Sequence, residues 1–147
     1  MAVDVQTEIV INRPRPLVAA YASDPANTTT WYANISSVEW QSEPPLRVGS
    51  RLAFVAHFLG RRIEYTYEVR VHDPDRVFVM ATQQGPFPME TTYSWEDAGE
   101  GATLMRLRNR GEPARFSRMA APAMSAAMRR ANDKDLRRLK SVLEQTP

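Results

Sequence analysis

The stretch from Phe116 to Glu144 constrains this chain more than any other, because it is patterned as one long helix with a single apolar side. At about 100° of turn per residue, Ala121, Met124, Ala131, Leu139, Val142 and Leu143 fall on the side of Met128. Arg129, Arg130, Asp133, Lys134, Arg137 and Lys140 fall opposite. Such a helix needs a cover for its apolar side. What precedes it alternates with the period of strands, so the expected cover is a curved sheet.

At about 1.5 Å per residue the helix would run roughly 40 Å. Pro122 limits it. The ring either sits in the first turn, where its missing N–H costs nothing, or kinks the helix after an opening segment. The first half of the apolar side is Met and Ala, flexible and small, which suits the lining of a space. The second half, with Leu136, Leu139, Val142 and Leu143, has the make-up of tight core. Asn132 and Asp135 interrupt the apolar side. Each either hydrogen-bonds a neighbouring loop or cap, or addresses a ligand. On the outer side Arg129–Asp133, Asp133–Arg137 and Lys140–Glu144 are four apart with opposite sign, which supports an exposed helix.

The preceding chain supplies the strands. In Val3 to Ile11 the odd positions Val3, Val5, Thr7, Ile9 and Ile11 face one way. Pro14 opens a short helix through Tyr21, with Leu17, Val18 and Tyr21 expected on one side. Asp24-Pro25 opens a second, which carries Trp31. Ile35 to Gln41 is a second strand. Arg51 to Leu59 and Arg62 to His72 form a hairpin expected to turn about Gly60-Arg61, pairing Phe58 with Ile63 and Ala56 with Tyr65. That register places Phe54, Tyr65 and Tyr67 inside and sets His57 opposite Glu64 outside. Strands at Arg76 to Thr82, Met89 to Glu96 and Ala102 to Asn109 complete a meander, broken by Gly85-Pro86-Phe87-Pro88 and by the loop 97–101. The expected class is α+β. A curved antiparallel sheet of about seven strands wraps a long C-terminal helix, and two short helices follow the first strand.

The 147 residues, 43% of them hydrophobic, suit one domain with one core over 1–147. No apolar run is long enough for stable membrane insertion. The absence of cysteine excludes disulfides and thiolate chemistry and leans towards the cytoplasm. The charge is +2 with a pI of about 9.2, carried by arginine; Lys134 and Lys140 are the only lysines. Acids alternate with these arginines, with no aromatic among them to stack on bases, so nucleic acid is not an expected partner.

Four stretches carry a resemblance. They are Ile11-Asn12-Arg13-Pro14 with Asp24-Pro25 and Trp31; Val48-Gly49-Ser50-Arg51; Gly85-Pro86-Phe87-Pro88-Met89; and Asp135-Leu136-Arg137-Arg138-Leu139-Lys140 with Leu143-Glu144. In this order and spacing the chain resembles the SRPBCC superfamily. These are START-like, helix-grip proteins that include polyketide cyclase/dehydrase, lipid-transport and birch-pollen-allergen relatives. The resemblance implies a deep, mostly apolar cavity between sheet and helix, with its mouth near Trp31. Members bind lipids, hormones or polyketides there, and a minority do chemistry. Catalytic residues differ between subfamilies, so the resemblance transfers none.

The residues themselves show no catalytic motif. His57 points outward and His72 sits at a turn, which is no metal-ligand cluster, and no nucleophile elbow, P-loop or dinucleotide fingerprint occurs. Neither a metal nor a cofactor is expected. The expected ligand-binding set combines aromatic residues (Trp31, Phe54, Tyr65, Tyr67, Tyr93), thioethers (Met80, Met89, Met105, Met124, Met128) and Asn132. Thioethers adapt to varied apolar ligands, and tyrosines add an orienting hydroxyl to an apolar body. The leading expectation is a non-catalytic binder of a small apolar or aromatic molecule, flat or polycyclic. Two others stay open: a cofactor-independent cyclase or dehydratase using cavity tyrosines and Asp135, and a stress-response or protein-interaction module. The sequence leaves the oligomeric state open.

Overall fold

A computed structural model describes residues 2–112 and 120–145. Alternation produces the strands as expected. β1 (Val3–Ile11) buries Val3, Val5, Thr7 and Ile11, half-buries Ile9 and exposes the even positions between them. After α1 (Arg15–Ser23), the Asp24 carboxylate accepts from the Ala26 N–H at 2.9 Å and starts a 3-10 turn over Pro25–Asn27. α2 (Thr28–Trp31) follows directly. Within α1 the buried side is Val18, Ala19 and Ala22; Leu17, expected on the same side as Val18, is exposed. The two alanines let the helix lie close to the sheet, and that contact fixes its rotation.

The remaining strands are β2 (Ile35–Trp40), β3 (Arg51–Phe58), β4 (Arg61–Asp73), β5 (Val77–Gln84), β6 (Met89–Asp97) and β7 (Thr103–Gly111). They form one antiparallel sheet in the order β1-β7-β6-β5-β4-β3-β2. Register shifts between β4 and β5 leave one extra residue on β5 opposite Thr66/Tyr67 and one on β4 between Val69 and Val71, and such bulges bend the strands and help the sheet curl.

The β3–β4 hairpin turns on Leu59-Gly60, not Gly60-Arg61. Leu59 has φ 53° and Gly60 φ 76°, the two left-handed residues that a tight hairpin turn requires. Phe58 therefore pairs with Arg61, and Ala56 with Ile63, two residues away from the expected register. A shift of two keeps every side chain on its face. The inward set survives, but His57 faces Arg62 rather than Glu64.

α3 (Ala121–Gln145) lies across the concave face, with Pro122 in its first turn. The expected start at Phe116 lies outside the described residues. Leu136, Leu139 and Leu143 enter a core with Leu52, Val69, Phe78, Trp95 and Leu107. Of the three expected ion pairs along the helix, Lys140–Glu144 forms. Arg129 instead donates to the Gln6 carbonyl at 3.1 Å, Arg138 to that of Thr30 at 2.6 Å, and Lys140 also to that of Val10 at 2.9 Å. At the C-terminal end Arg13 donates to the Leu143 carbonyl, and Glu144 accepts from the Asn12 N–H, both at 2.8 Å. The outer arginines of β7 pair with acids on neighbouring strands: Arg106 with Glu8 and Glu96, Arg108 with Asp4.

Candidate functional site

Between the concave sheet and the first half of α3 lies a cavity of about 120 Å³. A smaller one of about 40 Å³ adjoins it, and Phe58, Tyr67, Phe87, Met89, Asn109 and Met128 line both. The space exists because the helix presents small and unbranched side chains here. Ala131 and Met128 reach the main cavity, whereas one turn further on Leu136 and Leu139 close the gap. The floor is buried (Phe54, Tyr67, Met80, Tyr93), and the half-buried residues Asn34, Phe58, Phe87 and Met128 mark the more open side.

Of the expected ligand-binding residues, Phe54, Tyr65, Tyr67, Met80, Met89, Tyr93, Met128 and Asn132 line the main cavity, and Met124 lines the smaller one. Trp31 and Met105 line neither. Trp31 is fully buried behind Tyr32, at a ring distance of 4.2 Å, and Tyr93, at 5.7 Å, so it braces the wall. Met105 is sealed under the sheet between Ile9 and Trp95. Sequence reasoning missed Tyr32 and Asn109. Tyr32 closes α2, where no periodicity reports direction. Asn109 continues the inward series Met105, Leu107, Asn109, so strand alternation held its signal.

Polar groups line the wall in two sets. Asn132 Nδ2 donates to Asn109 Oδ1 at 2.7 Å, and Asn109 Nδ2 donates to Thr91 Oγ1 at 2.8 Å. Thr91 Oγ1 in turn shares a hydrogen bond with the Tyr67 hydroxyl at 2.8 Å. This chain ties α3 to β7, β6 and β4. In the second set the Tyr32 and Tyr93 hydroxyls lie 2.7 Å apart, and Asp135 Oδ1 accepts from the Ala33 N–H at 3.1 Å. Tyr65 stacks on Phe54 at 5.2 Å and has no hydroxyl partner among the described residues.

Burial sets the proton affinities. It pushes Tyr67 up to about 12, and Tyr32, Tyr65 and Tyr93 upward as well, so all four hydroxyls keep their protons at neutral pH. Burial also raises Asp135, against the Ala33 N–H and the Lys134 charge, to about 6. Asn132 and Asp135 each bond a neighbouring element, the first of the two roles considered for them, and each also lines the cavity. His57 is exposed, and no cluster of metal-ligating side chains occurs among the described residues. Nor is any helix among them long and apolar enough to cross a membrane.

The fold is shared with solved structures. A START superfamily protein from Mycobacterium smegmatis superposes with a TM-score of 0.81 at 15% identity, over 97% of each chain. The Zhui aromatase/cyclase from Streptomyces sp. R1128 gives 0.79 at 16% identity, over 97% of this chain and 93% of that one. A major latex-like protein from Panax ginseng gives 0.68 at 11% identity, over 94% and 95%. At such identities the likeness establishes the helix-grip fold alone. No curated protein matches the sequence. The sequence profile of one family does match, over residues 2–144, and it spans both the clasp at Asn12 and Arg13 and the cavity face of α3. With nearly the whole chain covered, this is a member of the polyketide cyclase/dehydrase and lipid transport family, within the SRPBCC/START superfamily.

Proposed function

We propose that the protein binds a small apolar or aromatic molecule in the cavity between the sheet and α3, without transforming it. One observation carries this reading. The cavity wall combines Phe54, Ala56, Ile63, Met80, Met89 and Met128 with hydroxyls already engaged with one another or kept protonated. Such a wall holds a ligand by area and orients it with few polar contacts. Burying about 200 Å² of ligand at about 25 cal/mol per Å² contributes roughly 5 kcal/mol before association costs, so a generic probe should bind in the high-micromolar range at best. The test is a fluorescence titration with 2-naphthol, a neutral two-ring probe, on wild type and Met128→Trp. The indole would fill the space from the helix side. Loss of binding in a variant with an unchanged melting curve supports the cavity; equal binding by both places the probe elsewhere and ends the assignment.

Asp135 favours a second reading, a cofactor-independent cyclase or dehydratase like the aromatase/cyclase among the similar structures. A carboxyl raised to about 6, lining the same cavity as the paired hydroxyls of Tyr32 and Tyr93, is suited to move a proton near neutrality. Under this reading Asp135→Asn would abolish turnover of a polyketide-like substrate and keep its binding. Turnover unaffected by the change would remove Asp135 from the chemistry.

A further inference from the structure

Among the described residues that line the main cavity, the one that carries a formal charge is an acid. Asp135 lines it, is 2% exposed, and among the described residues engages one oxygen with a donor, the Ala33 N–H. No Lys, Arg or His is among the described residues that line the main cavity. Arg110 borders the smaller one, but its guanidinium is shared between Glu90 at 3.4 Å and Asp4 at 3.9 Å. A carboxylate ligand placed here would lose its water and meet a like charge with no described counterion in the wall. An ammonium group would meet an acceptor carboxylate in a wall whose aromatic part packs Phe54, Tyr65 and Tyr67 at 4.9 to 5.4 Å from one another.

Resting on the binding reading above, we propose that the cavity selects small aromatic ligands of one or two rings that present an ammonium or hydroxyl donor to Asp135, and that it rejects carboxylates. The raised affinity of Asp135 for its proton gives the selection a pH signature. The groups that act on this carboxyl are Tyr32 from the end of α2, Tyr93 from β6, the Ala33 N–H and, on its own helix, Lys134. The tyrosines stay neutral, so Asp135 is the group that titrates near 6. An ammonium ligand should weaken as pH falls through that value, whereas a neutral alcohol should not.

The test is calorimetric titration of the folded protein with 2-phenylethylamine, 2-phenylethanol and phenylacetate at pH 7.5 and pH 5. These three differ in charge while keeping one ring and a short arm. At pH 7.5 the amine should bind tightest and phenylacetate weaker than the amine by about tenfold or more. At pH 5 the advantage of the amine over the alcohol should shrink. In Asp135→Asn that advantage should be lost at both pH values while the alcohol still binds. Should that variant not fold, the two pH arms on wild type decide alone. Phenylacetate binding as tightly as the amine would overturn the charge selection and leave the cavity reading standing. Failure of all three to bind, with 2-naphthol still bound, overturns the selection likewise; failure of 2-naphthol as well removes the cavity reading with it.

Discussion

Replacing Asp135 with asparagine should make the protein more stable at neutral pH. The folded environment raises this carboxyl from an ordinary 3.8 to about 6. The folded state then holds the proton more tightly than the unfolded chain does, so ionisation works against folding. Between the two values the folded state binds more protons, and stability falls as pH rises; above about 6 the full cost is present, and below 3.8 there is none. At about 1.4 kcal/mol per pKa unit the displacement corresponds to about 3 kcal/mol. The carboxyl faces a cavity that admits water, which reduces the expected size to about 2 kcal/mol. Asparagine keeps the shape and the carbonyl that accepts from the Ala33 N–H. Urea denaturation of both proteins from pH 4 to pH 8 measures the difference, in which all other titrations cancel. The variant should lead by about 2 kcal/mol above pH 7, and the lead should vanish near pH 4. A variant less stable than wild type at pH 7.5, or a difference that does not change with pH, would show that Asp135 is not the destabilising charge argued here.

Three further outcomes test the packing. Leu139→Ala removes a fully buried side chain that joins α3 to the core and should cost about 2–5 kcal/mol in the same denaturation assay; a shift near zero would mean that the wrong helix face has been placed inside. His57→Ala, on the exposed face opposite Arg62, should change stability by no more than about 0.5 kcal/mol and leave 2-naphthol binding intact, and a loss of binding would contradict the hairpin register. Gly85→Ala should weaken 2-naphthol binding more than it lowers stability. The new methyl would lie 3.0 Å from Tyr65 Cβ and 3.1 Å from Thr82 Cγ2, and the tyrosine ring in the cavity wall must shift to make room.

The fold was legible because two periods dominate the sequence. Alternation by two placed the inward faces of β3, β4 and β6, and the helical stripe placed Leu139 and Leu143. The hairpin register was not legible to the residue. Face patterns repeat every two residues, so they cannot tell a turn at Leu59-Gly60 from one at Gly60-Arg61; backbone geometry decides, and Leu59 adopts a positive φ unusual for its type. The cavity wall was legible where it lies on strands and on α3. It was missed at Tyr32, whose direction follows from how a four-residue helix ends, and misassigned at Trp31, which the neighbouring rings cover. The contacts of Arg129 with Gln6, Arg138 with Thr30 and Lys140 with Val10 left no signal, because each is made to a backbone carbonyl, and a carbonyl leaves no mark in the residue sequence.

Volume decides which ligand sizes the wall can meet. An apolar cavity of about 150 Å³ holds benzene. The main cavity, at about 120 Å³, therefore suits about one ring, smaller than the polycyclic ligand that the aromatic and thioether residues suggested. The neighbouring space is separated from it by side chains that line both, among them Met89 and Met128. Both methionines are half-buried, and each has an unbranched chain of three rotatable bonds. Rotating them aside joins the two spaces into a slot for about two rings without moving a strand. Three or more fused rings would require displacing Phe54, Tyr67 or Tyr93. These are buried, pack against one another or against Trp31, and in the two tyrosines are hydrogen-bonded to Thr91 and Tyr32. Adaptability thus lies at Met89 and Met128, and rigidity in the buried rings of the floor. A ligand series of rising ring number should show affinity climbing to two rings and then falling. Met128→Ala should move that limit upward, whereas Tyr93→Phe, which removes a hydroxyl and no ring, should leave it in place.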